Sequence, residues 1–287
     1  MSLPLYVELL KLRIGVLLVL TAAVGYVSAI EKIEMNTLFI LTIAMLFCSS
    51  GSSVFNHFYD RDIDCKMERT KNRPLASGKI ENPYYALFFA ASLLLAGLSI
   101  AGFLLNYMVS FYLFLGSFTY IVVYTIWLKR RHWINIVIGG AAGSFPVLAG
   151  AAAADSGIIV LPVLMALILF LWTPSHFWAL ALILKDDYKK ANIPMLPVLV
   201  GNTKCAQYMM VNTVLLVVSA LIPVLLGELG VFYFVISATV GIRFLWLNWK
   251  LCLNPSDDYA RKTFFFSMIY LSCIVVGVFM DRALMVK

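Results

Sequence analysis

Asn56, Asp60 and Asp64 fall at i, i+4 and i+8 in a segment that continues an apolar run. On a helix these positions share one face, one turn above another. Oxygen donors stacked in this way at a membrane surface suit a hard cation such as Mg²⁺. That ion takes one or two carboxylates with water and substrate phosphate rather than a full protein cage. Asp62 lies off the row and reads as structural. Arg69 and Arg73 follow, four residues apart, and Pro74 closes the helical stretch. Guanidinium forks grip phosphate bidentately and stay charged. Carboxylates for a metal followed by arginines for a phosphate describe a diphosphate site. An ordinary charged loop would account for the basic residues, but not for the acids beside them or for an Asn one turn deeper.

A second acidic pair, Asp186 and Asp187, stands among lysines at the end of another apolar run. It could hold a second Mg²⁺ across from the first, or be a plain charged helix terminus. His176 lies about two turns inside the same run, where ionisable groups face the bundle interior or a wet cavity. Lys129-Arg130-Arg131 ends a further run and can be read as topological charge. The glycines of Gly139-Gly140-Ala-Ala-Gly143 read as close helix packing.

The elements that must position these residues follow from composition. The chain has 287 residues, 62% hydrophobic and 13% charged, with mean hydropathy +0.91. A soluble domain of this size cannot bury so much apolar surface. Thr37–Phe55 and Asn82–Leu128 contain no Asp, Glu, Lys or Arg, and a spanning helix needs roughly 20 apolar residues. Nine spans are predicted, at 10–30, 37–57, 84–104, 108–128, 134–154, 158–184, 207–228, 230–250 and 263–281, with a tight turn at Leu105-Asn106-Tyr107. The chain is thus expected to be an all-α polytopic membrane protein, one domain over 1–287. The first run reads as a span rather than a removed signal peptide. Of the 22 Lys and Arg, all but Lys32, Arg282 and Lys287 fall on one side. This puts the N-terminus and the loops after spans 2, 4, 6 and 8 in the cytoplasm and the C-terminus outside. The same distribution argues against nucleic acid as the reason for the net charge of +7. Five scattered cysteines without a CxxC pair argue against a disulfide framework or zinc site. Two cytoplasmic loops, about 58–83 and 185–206, are enlarged and carry the acids, so function is expected on that face.

The run Asn56-x3-Asp60-x3-Asp64-x2-Met67-x-Arg69-Thr70-x2-Arg73-Pro74 resembles the first signature of the UbiA-type intramembrane prenyltransferases. Its tail, from Met67 to Leu75, is most similar to the haem-farnesylating branch, the protohaem IX farnesyltransferases (haem O synthases). The resemblance covers nearly the whole chain and implies a nine-helix bundle. It implies Mg²⁺ on Asn56, Asp60 and Asp64, with Arg69 and Arg73 on the diphosphate and Lys129 reaching it as well. The second motif, Thr173-Pro174-x-His176-Phe177-Trp178 with Asp186-Asp187-Tyr188 and Ile193-Pro194-Met195-Leu196-Pro197, resembles the same branch. Quinone-type relatives carry D-x3-D there, which would place the first Asp at Ile183. Asn192 stands where the branch usually has Gly, and Asn tolerates that backbone. Lys11-Leu12-Arg13 stands where the family often has T-K-P-R, without its Thr and Pro. Arg13 could reach a substrate acid or snorkel to the interface. His176 could ligate haem iron or position the porphyrin, and Trp178 and Trp172 could stack.

The resemblance therefore implies transfer of a farnesyl group from farnesyl diphosphate to a vinyl group of haem B, with addition of water. Mg²⁺ is the implied cofactor, and haem B is a substrate rather than a prosthetic group. The implied setting is the cell (inner) membrane, with haem A synthase or terminal-oxidase assembly factors as partners. The alternatives are transfer to a quinone precursor or another acceptor, and, in a different class, a membrane transporter. The single-face charge distribution and the absent D-x3-D stand against these.

Overall fold

The computed structural model describes residues 3–30, 33–154 and 160–285, with 284 and 285 described by backbone alone. The described residues are helical with no strand, as lipid demands when every backbone group must be satisfied within its own segment. A short helix, α1 (Leu3–Leu9), precedes α2 (Leu12–Ser28). Then come α3 (Met35–Asp64), α4 (Pro83–Leu104) and α5 (Tyr107–Phe118), the last running on as a π-helix over Thr119–Leu128. The short α6 (Asn135–Gly139) leads into α7 (Ala141–Ala153). The chain closes with α8 (Val160–Ile183), α9 (Lys185–Lys190), α10 (Leu196–Leu225), α11 (Val231–Leu253) and α12 (Asp257–Met285).

Eight of these runs are long and apolar enough to cross a bilayer, and α2, at 17 residues, is a shorter ninth. Each spanning run packs on the next in chain order, and α12 returns to α2, so the bundle closes into a ring. Short connections make antiparallel neighbours. The predicted turn after α4 is one of them. The Asn106 side chain accepts from Val109 N at 2.9 Å and donates to Ala152 O at 2.8 Å, capping one helix while tying it to another.

Three boundaries depart from the sequence reading. The first span does not begin at residue 10. The chain bends there, with Lys11 in the left-handed region (φ 47, ψ 49), and α1 lies aside, packing Tyr6 edge-on against Phe89 with Leu9 O accepting from Ser53 Oγ. The second enlarged loop is shorter than predicted, because α10 begins at Leu196. That helix tolerates a break at Gly201, whose φ of 81 a residue with a Cβ would resist. The helix carrying the acidic row stops at Asp64, and residues 65–77 are a chain of turns, so Arg69 and Arg73 do not share a helical face. Asn192 has φ 54, the left-handed backbone that glycine would supply.

Candidate active site

Helix α3 outruns the bilayer. Its 30 residues span about 45 Å at 1.5 Å per residue, which carries its last two turns beyond the apolar zone. Asn56, Asp60 and Asp64 all lie on its inner face and are buried; Asp60 is 0% exposed. Burying two carboxylates demands partners, and cations from three other segments provide them. Lys11 Nζ donates to Asn56 Oδ1 at 3.1 Å. Lys129 Nζ is in close contact with Asp60 Oδ2, which also accepts from Asn56 Nδ2 at 2.7 Å. Arg73 Nη1 reaches Asp64 Oδ2 at 2.7 Å. Each oxygen-bearing side chain of the row thus meets at least one cation.

Asp60 Oδ1 has no hydrogen-bond partner although it is enclosed; its one cationic neighbour is Arg130 Nη2 at 3.5 Å. An enclosed bare carboxylate oxygen is costly and is suited to a metal. Among the described residues no cluster of three or more His, Cys, Asp or Glu forms a closed cage. The set here is open and made of oxygens, the kind that suits an ion keeping water and phosphate in its shell.

The π-helix supplies the opposite wall. Lys129 N bonds to Tyr124 O at 2.8 Å, five residues back, and Thr125 Oγ1 bonds to Tyr120 O at 2.8 Å with the same spacing. The wider turn puts Thr125 Oγ1 3.2 Å from Asn56 Nδ2 and Lys129 on Asp60. Long π-helices are rare and gather at functional sites. Asp62 lies off the row, as the spacing predicts, gripped by Arg130 through two bonds of 2.7 Å. That fork stays charged, since the hydrogen bond to Asp62 raises the Arg130 pKa.

Lys11 is a candidate site residue to which the sequence alone gives no preference over Arg13. The signal was there, in the basic pair ahead of the first span, but helical phase could not decide between them. Arg13 is exposed on α2 and makes no polar contact in the described structure. Lys11 gains its position from the left-handed kink, which costs a residue with a Cβ about 1–2 kcal/mol. Strain of this kind is characteristic of functional positions. Burial, and then the charges of Arg73 and Lys129, lower its pKa to about 7. Thr125 was likewise missed, since nothing in a charge-free run marks one threonine among the rest.

The second loop meets the first at Asp187, which is buried and accepts from Arg69 N at 3.5 Å. Asp186 is exposed on the other side of α9, so the pair does not act from one face. The Arg69 side chain is exposed at the same mouth. Deeper in the bundle, His176 Nδ1 lies 2.7 Å from Ser267 Oγ on α12. Trp178 projects differently and is buried in an apolar cluster with Ile63, Met67 and Leu182. Pro174, the feature closest to a transporter's broken helix, lies inside α8 without interrupting it. Asn212 Nδ2 donates to Leu171 O at 2.7 Å and to Ser175 Oγ at 2.8 Å.

Known proteins match this chain in sequence and fold along nearly its whole length. The UbiA prenyltransferase family matches residues 17–270. Protoheme IX farnesyltransferase 1 of Paramagnetospirillum magneticum is 48% identical over 277 residues, covering 96% of this chain and 98% of that one. Protoheme IX farnesyltransferase 1 of Cenarchaeum symbiosum is 43% identical over 244 residues, covering 85% and 81%. Among solved structures, a digeranylgeranylglyceryl phosphate synthase shares the fold with a TM-score of 0.82 at 22% identity over 98% of both chains. A UbiA homolog from Archaeoglobus fulgidus bound to DMAPP and Mg²⁺ does so with a TM-score of 0.73 at 18% identity, over 95% of this chain and 98% of that one. The chain belongs to the UbiA prenyltransferase family.

Proposed function

We propose that this protein transfers a farnesyl group from farnesyl diphosphate to a vinyl group of haem B, with addition of water, and that the reaction depends on Mg²⁺. The observation that carries the reading is the buried row Asn56, Asp60 and Asp64, each member held by a basic side chain from another segment. The relatives named protoheme IX farnesyltransferase support the acceptor. The homolog bound to DMAPP and Mg²⁺ supports the metal.

Asn56, Asp60 and Asp64 would hold the ion, with Asp187 of the second loop beside the Arg69 backbone. When bound, Mg²⁺ supplies a Lewis acid at the diphosphate oxygens. Lys11, Lys129 and Arg73 then release the carboxyl and amide oxygens that they now touch and turn to the phosphates. There, with Arg69, they neutralise the charge that develops as the allylic C–O bond breaks. The bonding electrons leave with the diphosphate. The terminal vinyl carbon of the porphyrin bonds to C1 of the farnesyl group. Water oxygen bonds to the remaining vinyl carbon, and one proton is released. The apolar walls keep water from the first cation until that carbon–carbon bond has formed.

We place the N-terminus and both enlarged loops in the cytoplasm and the chain in the cell (inner) membrane, on the distribution of Lys and Arg. The test is product analysis with purified protein, haem B, farnesyl diphosphate and Mg²⁺, with Asp60→Ala alongside. A haem species heavier by one farnesyl and one hydroxyl group is expected, absent without Mg²⁺ and in the variant. Diphosphate released only with an aromatic acceptor would move the protein to quinone-type chemistry. Folded protein giving neither product would end the prenyltransferase reading.

A further inference from the structure

Away from the diphosphate face, one histidine in the interior of the bundle is arranged as a ligand. His176 on α8 is 8% exposed. Its ring is stacked between Trp172, with centroids 4.3 Å apart, and Phe264, at 4.7 Å, with Phe177 edge-on at 5.1 Å. Both faces of the imidazole are covered, so the ring cannot turn. Ser267 Oγ donates its only proton to Phe264 O at 2.6 Å, and Trp172 Nε1 fixes the Ser267 carbonyl at 2.7 Å. With its proton committed, Ser267 Oγ can only accept from His176, so the hydrogen of the neutral imidazole sits on Nδ1.

Nε2 is then left as a lone pair. It makes no hydrogen bond to any described residue, and unlike both nitrogens of His57 it is not sealed in by the surrounding atoms. A histidine whose N–H is held by a fixed acceptor while its other nitrogen is free has the arrangement of a metal-ligating imidazole. A ring placed there only to fill space would need no fixed tautomer. The other two histidines do not compete: His57 is enclosed beside Asn56, and His132 lies in an exposed loop where its Nδ1 accepts from Ile134 N at 3.2 Å.

We propose that His176 Nε2 is the axial ligand to the iron of the porphyrin acceptor, and that Ser267 is the positioning residue that sets its tautomer. This rests on haem being the acceptor. Ligation would anchor the macrocycle at its centre, leaving its rim free to present a vinyl group.

The test is absorption and resonance Raman spectroscopy of haem B titrated into the purified full-length protein, in ferric and ferrous states. Wild type is expected to give a histidine-ligated spectrum. His176→Gly should lose it and recover it on addition of imidazole. Ser267→Ala should keep the ligand but lower the iron–histidine stretching frequency and weaken haem affinity about 10- to 100-fold. Both variants should match wild type in circular dichroism and thermal melting and should bind farnesyl diphosphate with wild-type affinity, which shows that they are folded. If wild type farnesylates haem while His176→Gly keeps an unchanged haem spectrum, the ligand assignment is wrong and the proposed function stands. If wild type neither binds nor modifies haem, the acceptor itself is wrong and the ligand falls with it.

Discussion

Lys11 and Arg13 are two positions apart and carry the same charge, yet only Lys11 faces the acidic row. The difference gives a direct comparison. Loss of a charge-assisted hydrogen bond costs about 1.5–3 kcal/mol, so Lys11→Met should raise KM for farnesyl diphosphate about ten- to a hundredfold. Arg13→Met, at an exposed position without polar partners, should stay within about twofold. Steady-state kinetics on the two variants separates these expectations, and equal losses would mean that Arg13 reaches the substrate after all. The bare Oδ1 of Asp60 gives a second expectation at the same scale. Asp60→Asn keeps size and hydrogen bonding but lowers the charge at the row. Its turnover should fall by about 10² or more, and its apparent Mg²⁺ requirement should shift to higher concentration.

At the scale of elements, two devices set the active geometry. One is the π-helix over Thr119–Leu128, which turns Thr125 and Lys129 toward α3. Deleting Val122, a lipid-facing residue in that stretch, would remove one residue of register and rotate the downstream residues by about 100°. The deletion variant should remain folded by circular dichroism and thermal melting while its turnover drops as far as that of Lys129→Met. A fully active deletion variant would show that the widened turn is incidental. The other device is the crossing of α2 and α7. A Cβ at Gly150 would stand 1.8 Å from Ala22 O, and one at Gly25 would stand 1.9 Å from Val147 O. Backbones this close leave no room for a methyl group. Gly150→Ala should destabilise the bundle by about 1–3 kcal/mol, read as a lower melting temperature in detergent. Gly143→Ala, with nothing within 4 Å of its Cβ, should melt like wild type.

For the whole molecule, the ring of helices puts every member of the acidic row and its cations at one end. Cys65, exposed just past the end of α3, marks that end, while Cys48 is buried within the same helix. In sealed, oriented vesicles, a membrane-impermeant thiol reagent should modify Cys65 from the cytoplasmic side. Modification of Cys65 only from the opposite side would invert the topology drawn from the basic residues.

Periodicity and composition by themselves determined the class, the approximate number and position of the spans, the row Asn56, Asp60 and Asp64 on one helical face, and the separate position of Asp62. All of these are local properties, since apolar runs must be helices in lipid and i, i+4 neighbours must share a face. What stayed illegible was whatever depends on residues far apart in the chain. The choice of Lys11 over Arg13 hangs on a single left-handed residue, and the choice of Asp187 over Asp186 on how α9 docks against the first loop. Their spacing pairs the arginines on one helical face, but the helix ends at Asp64, and Arg73 comes back to that residue through a chain of turns. The π-helix has no sequence signature in an apolar run, and the tautomer of His176 depends on a serine 91 residues away. Tertiary structure decided these points because burying a carboxylate or an imidazole in an apolar bundle requires a partner, and only the fold determines which distant side chain supplies it.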